Sequence, residues 1–396
     1  MMPGVDRRDF LRRATLSLLG LGSSPWLASC GTAGAHQTPE SCPSEDRSAT
    51  ERSVRFSNWP EYIDQGTTVV DGRRTTVMPT LASFEAESGI DVVYNTDVND
   101  NAEFFAKVRD QLSACEPIGR DIIVLTDWAA ARMAALGWLQ RLDKARLPRV
   151  EAHLIPRLRA PAWDPDRTLS VPWQSGLTGL AYNARYTGAV HSVEEMLTRK
   201  DLRGKVSLLS ELNDTLSFML RIVGADPERF TDDDAERALE RLTEVVASGQ
   251  VRRFTGNDFA RDLDAGNIVA CAAWSGDILA MQESNPDIRW VAPDEGMVLF
   301  SDNMLVPIRA AHKANAERLM DHYYDPQVAA RVSAAVRFIC PVQGAREAME
   351  RVDPSLVDNP LIFPDEALLA KTFVFMDLPD GTRGRYSRAF ARAIAA

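Results

Sequence analysis

Over the first third of the body, short β-branched and aromatic runs alternate with helical stripes. That alternation restricts the chain to a layered α/β architecture. Residues 53–59 (SVRFSNW), 90–94 (IDVVY) and 121–125 (DIIVL) read as strands, and the last is apolar enough to be covered on both faces. Between them, 78–88 reads as a helix stopped by Gly89, and 103–114 sets Phe104, Phe105, Val108 and Leu112 on one stripe. Residues 129–136 form a further helix ended by Gly137. The pattern resumes with strands at 205–209, 267–274, 289–292 and 304–307 and a long helix at 232–248. Further helices are expected at 216–223, 278–283, 314–324, 326–335 and in the second half of 365–396. A chain of 396 residues is long enough for two domains. The Pro- and Arg-rich stretch 148–172 reads as a link between two α/β lobes.

The first thirty residues read as an address. Arg7-Arg8 precedes Phe10-Leu11, a modest apolar stretch runs from 14 to 21, and Leu27-Ala28-Ser29-Cys30 follows. A charged start, a short apolar core and small residues before a cleavage point are the order of an export signal. The arginine pair resembles the twin-arginine signal, and Leu-Ala-Ser-Cys resembles the bacterial lipobox, whose cysteine carries lipid. Residues 1–29 are therefore expected to be removed, with Cys30 lipidated. Residues 30–52, rich in Thr, Ser, Gly, Pro and Glu, are expected to form a flexible tether. The expected location is outside the cytoplasm, either lipid-anchored to the outer face of the cell membrane or periplasmic.

Charge narrows the partners. Forty-five Lys and Arg stand against 56 Asp and Glu, a net charge of −11. The leader carries four arginines against two aspartates, so the exported chain stands at −13. Such acidity argues against nucleic acid. The five cysteines form no C-x-x-C, and five histidines form no H-E-x-x-H, so no metal or cofactor is expected. Pairing among Cys42, Cys115, Cys271 and Cys340 stays open, because twin-arginine cargo folds before export. Cys271, inside an apolar run, reads as a buried small hydrophobe. Neither a phosphate-binding loop nor a G-x-S-x-G elbow occurs.

Aromatics and carboxylates recur where strands end: Trp59, Glu61 and Tyr62; Thr126 and Trp128; Glu211 and Asp214; Trp274 and Asp277; Phe300 and Asp302. In open α/β sheets ligands sit beyond the carboxyl ends of strands. Aromatic faces attract cations, and buried carboxylates pair with ammonium groups. Aromatic walls with separated carboxylates suit an elongated cation with an apolar middle. Taken singly, each residue has a plainer use. A tryptophan after a strand serves the core, Asp214 before Thr215-Leu216 fits a helix N-cap, and Glu211 can simply be solvated.

The run SNWPEYID (57–64) resembles the spermidine/putrescine-binding lipoproteins of bacterial ABC importers. The similarity continues at low level over 53–396, through DIIVLTDW (121–128), SVPWQSGLTGLAYN (170–183), RGKVSLLSELND (203–214), NIVACAAWSGD (267–277) and EGMVLFSDNMLVP (295–307). The resemblance implies a two-lobed type II periplasmic-binding fold with a hinge and an inter-lobe ligand cleft. It implies chain crossings near 172–180, 293–300 and 340. Lobe 1 would then be 53–172 plus 298–340, and lobe 2 would be 173–297 plus 341–396. It also implies roles. Trp59, Glu61 and Tyr62 fall in the opening motif, where the two rings wall the site. Thr126 and Trp128 stand for a Ser and a Tyr. Glu211 and Asp214 match two carboxylates that hold one amine end. Trp274 matches a stacking Trp, and Asp302 matches the carboxylate that holds the amine in the middle. Phe300 replaces a Trp, Phe338 replaces a Tyr, Pro60 removes a Thr hydroxyl, and a family Gln finds no match near 373–375.

The expected function is capture of a polyamine by a monomer that delivers it to ABC permease subunits driven by a cytoplasmic ATPase. No chemistry is performed. The alternatives are the same fold binding a sugar, thiamine or another cationic amine, or an exported hydrolase.

Overall fold

The computed structural model describes residues 35–395 apart from 71, 72 and 257. The expected leader (1–29) and Cys30 lie outside the described residues. The strands are β1 (Ser53–Ser57), β2 (Gly66–Val70), β3 (Arg73–Val77), β4 (Asp91–Asn95), β5 (Ile122–Thr126) and β6 (Ser170–Asn183). They continue with β7 (Val206–Leu209), β8 (Val251–Thr255), β9 (Ala270–Trp274), β10 (Ile288–Val291), β11 (Met297–Leu305) and β12 (Thr372–Phe373).

One sheet runs in the order β4-β1-β5-β11-β6-β9-β7-β8, with β10 on β6 and β12 on β11. Strands β4, β1 and β5 are mutually parallel, as are β9, β7 and β8. The long strands β6 and β11 are antiparallel to each other and to their flanking neighbours β9 and β5. The β6–β11 ribbon is therefore the spine on which two α/β halves are built. The first half has cores on both sheet faces. Phe56, Val124, Trp173 and Tyr323 pack on one face, and Phe104, Leu125, Trp138 and Leu305 on the other. The second half packs Leu180, Leu208, Phe218, Leu242 and Phe259. A small cluster of Leu177, Met297, Leu299, Ile339 and Leu361 lies where the two meet.

Most expected strand ends shift by three residues or fewer, but the strand expected at 304–307 begins already at Met297, and β8, β12 and the long β6 were not expected as strands. Pro172, Gly176 and Gly179 argue against a strand. Pro172 is accommodated at a bulge, where the pairing slips between Asp302 and Asn303. Gly176 and Gly179 give room to rings: a Cβ would lie 2.3 Å from Phe300 and 2.7 Å from Trp290, respectively. The β2–β3 hairpin was also unforeseen. Its β3 residues Arg73–Thr76 are exposed, so no apolar face marks it.

Three expected boundaries are corrected. The tether does not extend to 52. Residues 35–52 form a strap on the first half, with the Trp138 indole donating to Ala35 O at 2.9 Å, Gln37 N to Leu136 O at 2.8 Å and Asn315 N to Ser48 Oγ at 3.1 Å. A Cys42–Cys115 disulfide rivets it, with Cys42 2% exposed, while Cys271 and Cys340 are free and buried. The stretch 148–169 is not a link, since Val150, Leu154 and Leu158 pack into the first core. The last crossing is not at 340. Val342, Ala348, Met349 and Ile362 belong to the first core, and the chain reaches the second only at Phe373.

Candidate ligand-binding site

The site is organised around Asp302 on β11. Thr126, at the end of β5, is its cross-strand partner. The Thr126 hydroxyl donates to Asp302 Oδ1 at 2.6 Å and the Tyr62 hydroxyl to Oδ2 at 2.8 Å. Tyr62 is delivered by the tight loop after β1. Buried Asn58 accepts from Trp59 N at 2.9 Å and donates to Tyr62 O at 3.1 Å, and the Trp173 indole donates to the same carbonyl at 3.1 Å. The sharp turn falls on Glu61, whose φ is +55°. Asn101 brackets Thr126, donating to Oγ1 at 3.0 Å and accepting from its N–H at 3.1 Å. Burial pushes the Asp302 carboxyl up to about 6, although the two hydroxyls favour its anion.

The second half presents its own carboxyls. The plainer use of Asp214 as a helix N-cap does not hold, since Glu211 occupies that position. Asp214 sits in the first turn of the helix Leu212–Ile222 and accepts from the Thr178 hydroxyl at 2.5 Å, with Trp274 as a further hydrogen-bond partner. Burial raises it to about 6. Glu211 holds the N-cap position without a side-chain cap bond and is half-buried. Desolvation, followed by the carboxylates of Asp100 and Asp214, drives it well above its ordinary range, and Arg383 opposes this. Asp277, in the first turn of the helix Ser275–Ser284, is raised to about 7 by burial and by Glu61. Its Oδ2 is buried with no hydrogen-bond partner among the described residues.

Aromatic rings wall this acidic interior. Tyr62 meets Phe338 edge-on at 5.4 Å, and Phe338 meets Phe300 at 6.2 Å. The rings reach the backbone because Gly176 and Gly276 lack a Cβ; one on Gly276 would lie 2.4 Å from Phe338. Trp274 sets its edge against Phe259 at 6.0 Å. Trp59 commits its indole N–H to Val124 O at 3.1 Å, and Glu61 is exposed. Trp128 has its ring face covered by the Arg383 guanidinium at 4.7 Å.

The structure thus brings Tyr62, Thr126, Asp214, Asp302, Phe300 and Phe338 together, with Glu211 beside Asp214. Sequence reasoning assigned no role to Thr178, Asn101, Asp100 or Arg383. Asp277 stood among the strand-end carboxylates but was given no binding role. Its neighbour Ser275 accepts from Leu177 N at 3.2 Å, and no described histidine hydrogen bond reaches it. Asp277 shared the strand-end position of the other carboxylates, which was the signal available. A lone arginine on a C-terminal helix gave none.

What this arrangement suits is a cation with apolar length: a buried carboxyl from each half, Asp302 and Asp214, held by the hydroxyls of Thr126, Tyr62 and Thr178, between aromatic walls. The family model for bacterial extracellular solute-binding proteins matches residues 80–364. The chain belongs to this family of bacterial extracellular solute-binding proteins. It is therefore a binding protein and not an enzyme. This solute-binding protein is 24% identical over 364 residues to spermidine/putrescine-binding periplasmic protein 1 of Haemophilus influenzae, covering 91% of this chain and 94% of the relative. It is 27% identical over 346 residues to the putrescine-binding periplasmic protein PotF of Escherichia coli, covering 82% and 86%. Among solved structures, the spermidine/putrescine ABC transporter substrate-binding protein PotD from Streptococcus pneumoniae superposes with a TM-score of 0.71 at 20% identity. That match covers 87% of this chain and 98% of that one. The fold is the two-lobed one of periplasmic substrate-binding proteins.

Proposed function

We propose that this solute-binding protein captures a linear polyamine, putrescine or spermidine, outside the cytoplasmic membrane and delivers it to the permease of an ABC importer. One observation carries the reading: Asp302 and Asp214, one from each half, are buried together with carboxyls raised to about 6. Such groups gain most from an ammonium ion, which restores the anion and forms charge-assisted hydrogen bonds. A sugar would use the aromatic faces and hydroxyls but would gain nothing from two buried carboxyls, Asp214 and Asp302, with the half-buried Glu211 and Asp277 beside them. The relatives named for spermidine and putrescine support the same ligand class.

In this reading Asp302 and Asp214 hold one ammonium, Glu211 and Asp277 mark the two ends, and Tyr62, Phe300, Phe338 and Trp274 line the methylene chain. Trp59, Glu61, Thr126 and Trp128 frame the cleft. Ligand favours the closed halves because both contribute to the charge it meets. The lobes would be 53–172 with 303–363, and 178–298 with 372–395. The protein acts as a monomer, exported by its twin-arginine leader and held at the membrane by lipid on Cys30. No described helix is long and apolar enough to cross a membrane.

Isothermal titration with putrescine and spermidine tests the ligand; absence of heat and of any thermal shift with both overturns it. Membrane fractionation of Cys30→Ala tests the anchor; a variant that still partitions with membranes overturns that part.

A further inference from the structure

The cleft already holds a cation belonging to the chain. Arg383, on the C-terminal helix Asp380–Ile394, is 7% exposed. Its guanidinium lies 4.7 Å from the centroid of the Trp128 ring and donates from Nη1 to Asn213 Oδ1 at 3.1 Å. Trp128 packs with the first half, and Asn213 stands on a helix of the second, so the side chain bridges the two. Its charge also acts on Glu211, lowering a carboxyl that desolvation, Asp100 and Asp214 raise. Stacking on an indole and hydrogen bonding to an amide fix a guanidinium at both ends.

Among the described residues no lysine or arginine pairs with Asp277. Asp277 Oδ2 is buried without a hydrogen-bond partner among the described residues, and the charge that acts on it is the carboxylate of Glu61. Tyr62, which Asp277 also influences, connects it to Asp302. In the polyamine reading the carboxyls then fall into three groups: Glu211 near Arg383 and Trp128, Asp302 and Asp214 between, and Asp277 beside the Phe338 and Tyr62 rings. One of the three is matched from within.

We propose that Arg383 is a specificity-determining residue that takes the place of one ligand ammonium. It closes the Glu211–Trp128 end and limits the ligand to a short diamine reaching from Asp302 and Asp214 to Asp277. The inference rests on the polyamine reading above and adds the length of the ligand. A triamine would have to set its third ammonium beside the guanidinium or expel it from Trp128. Rejection by a like charge is a standard route to specificity.

The test is titration of the purified protein with putrescine and with spermidine, for wild type, Arg383→Met and Arg383→Lys, with folding checked by thermal melting. Wild type is expected to favour putrescine at least tenfold. Arg383→Met is expected to shift the ratio toward spermidine at least tenfold, and Arg383→Lys to keep the wild-type preference within threefold. Should Arg383→Met fail to fold, Trp128→Leu removes the platform and is expected to give the same shift. An unmoved ratio, or an equal change for both amines, overturns the proposal and leaves Arg383 as a latch between the halves. Wild type binding spermidine as tightly as putrescine overturns the length limit and leaves the polyamine reading standing. Wild type binding neither overturns both.

Discussion

Thr126 and Asp302 face each other across the β5–β11 pairing, and the threonine hydroxyl donates to the aspartate at 2.6 Å. The ladder itself thus fixes where the central carboxylate points. The neighbouring bulge between Asp302 and Asn303 turns the strand at that position. Removing the charge separates two roles of this residue. Asp302→Asn is expected to lower putrescine affinity by at least thirtyfold in titration, because truncating one partner of a buried charge pair costs about 2–5 kcal/mol. The same variant is expected to melt no lower than wild type without ligand, since it removes a carboxyl that burial disfavours.

Acid should affect ligand binding and apo stability in opposite directions. Asp302 and Asp214 stand at about 6 and Asp277 at about 7, all raised from 3.8. Between those values the folded chain binds more protons than the unfolded one. The stability of the ligand-free protein therefore falls as pH rises from about 4 through 7. For Asp302 the loss is roughly 3 kcal/mol. An amine needs the anions, so affinity falls as pH drops from 7.5 to 5.5. Melting and titration across this range check both slopes. Titration at pH 6.5 in buffers of different ionisation enthalpy should also show proton release on binding.

Gly276→Ala is expected to weaken ligand binding and lower stability by about 1–3 kcal/mol, the usual cost of overpacking. The added Cβ would lie 2.4 Å from the Phe338 ring, which in turn braces Tyr62. Denaturant unfolding gives the stability term. Pairing it with Phe338→Leu should recover part of that loss.

Cys42→Ser with Cys115→Ser is expected to cost up to about 4 kcal/mol, the chain-entropy figure for a closed loop of 73 residues. Ligand affinity should stay within twofold of wild type. Limited trypsin digestion should cut the variant at Arg47 and Arg52 faster than the oxidised parent.

The α/β layering was legible because β1, β4 and β5 carry their signal locally, in β-branched runs between amphipathic helices. Strand β6 was not, since Pro172, Gly176 and Gly179 are there for a bulge and for the rings of Phe300 and Trp290, which arrive from distant sequence. The same holds at the site. Tyr62 and Asp214 follow soon after β1 and β7, where chemistry and position coincide, but Asp302, expected at a strand end, lies inside β11 with partners on both sides. Thr178 lies inside a strand and resembles any buried threonine until Asp214 is placed beside it. Arg383 depends on how a terminal helix docks, which no local pattern encodes. The strap was read as a tether because its composition is polar. It is held by hydrogen bonds and one disulfide rather than by an apolar face.

That strap decides which half of the molecule can serve as a stator. Its bonds to Ser113, Leu136, Trp138, Ala311 and Asn315 all go to the first half, as does its disulfide at Cys115. A pull applied ahead of residue 35 therefore reaches the first half, and in the capture function proposed above the second is the half expected to move. A fluorophore on the second half would then report capture as movement toward a fixed frame, with the N-terminal end of the chain as the mount.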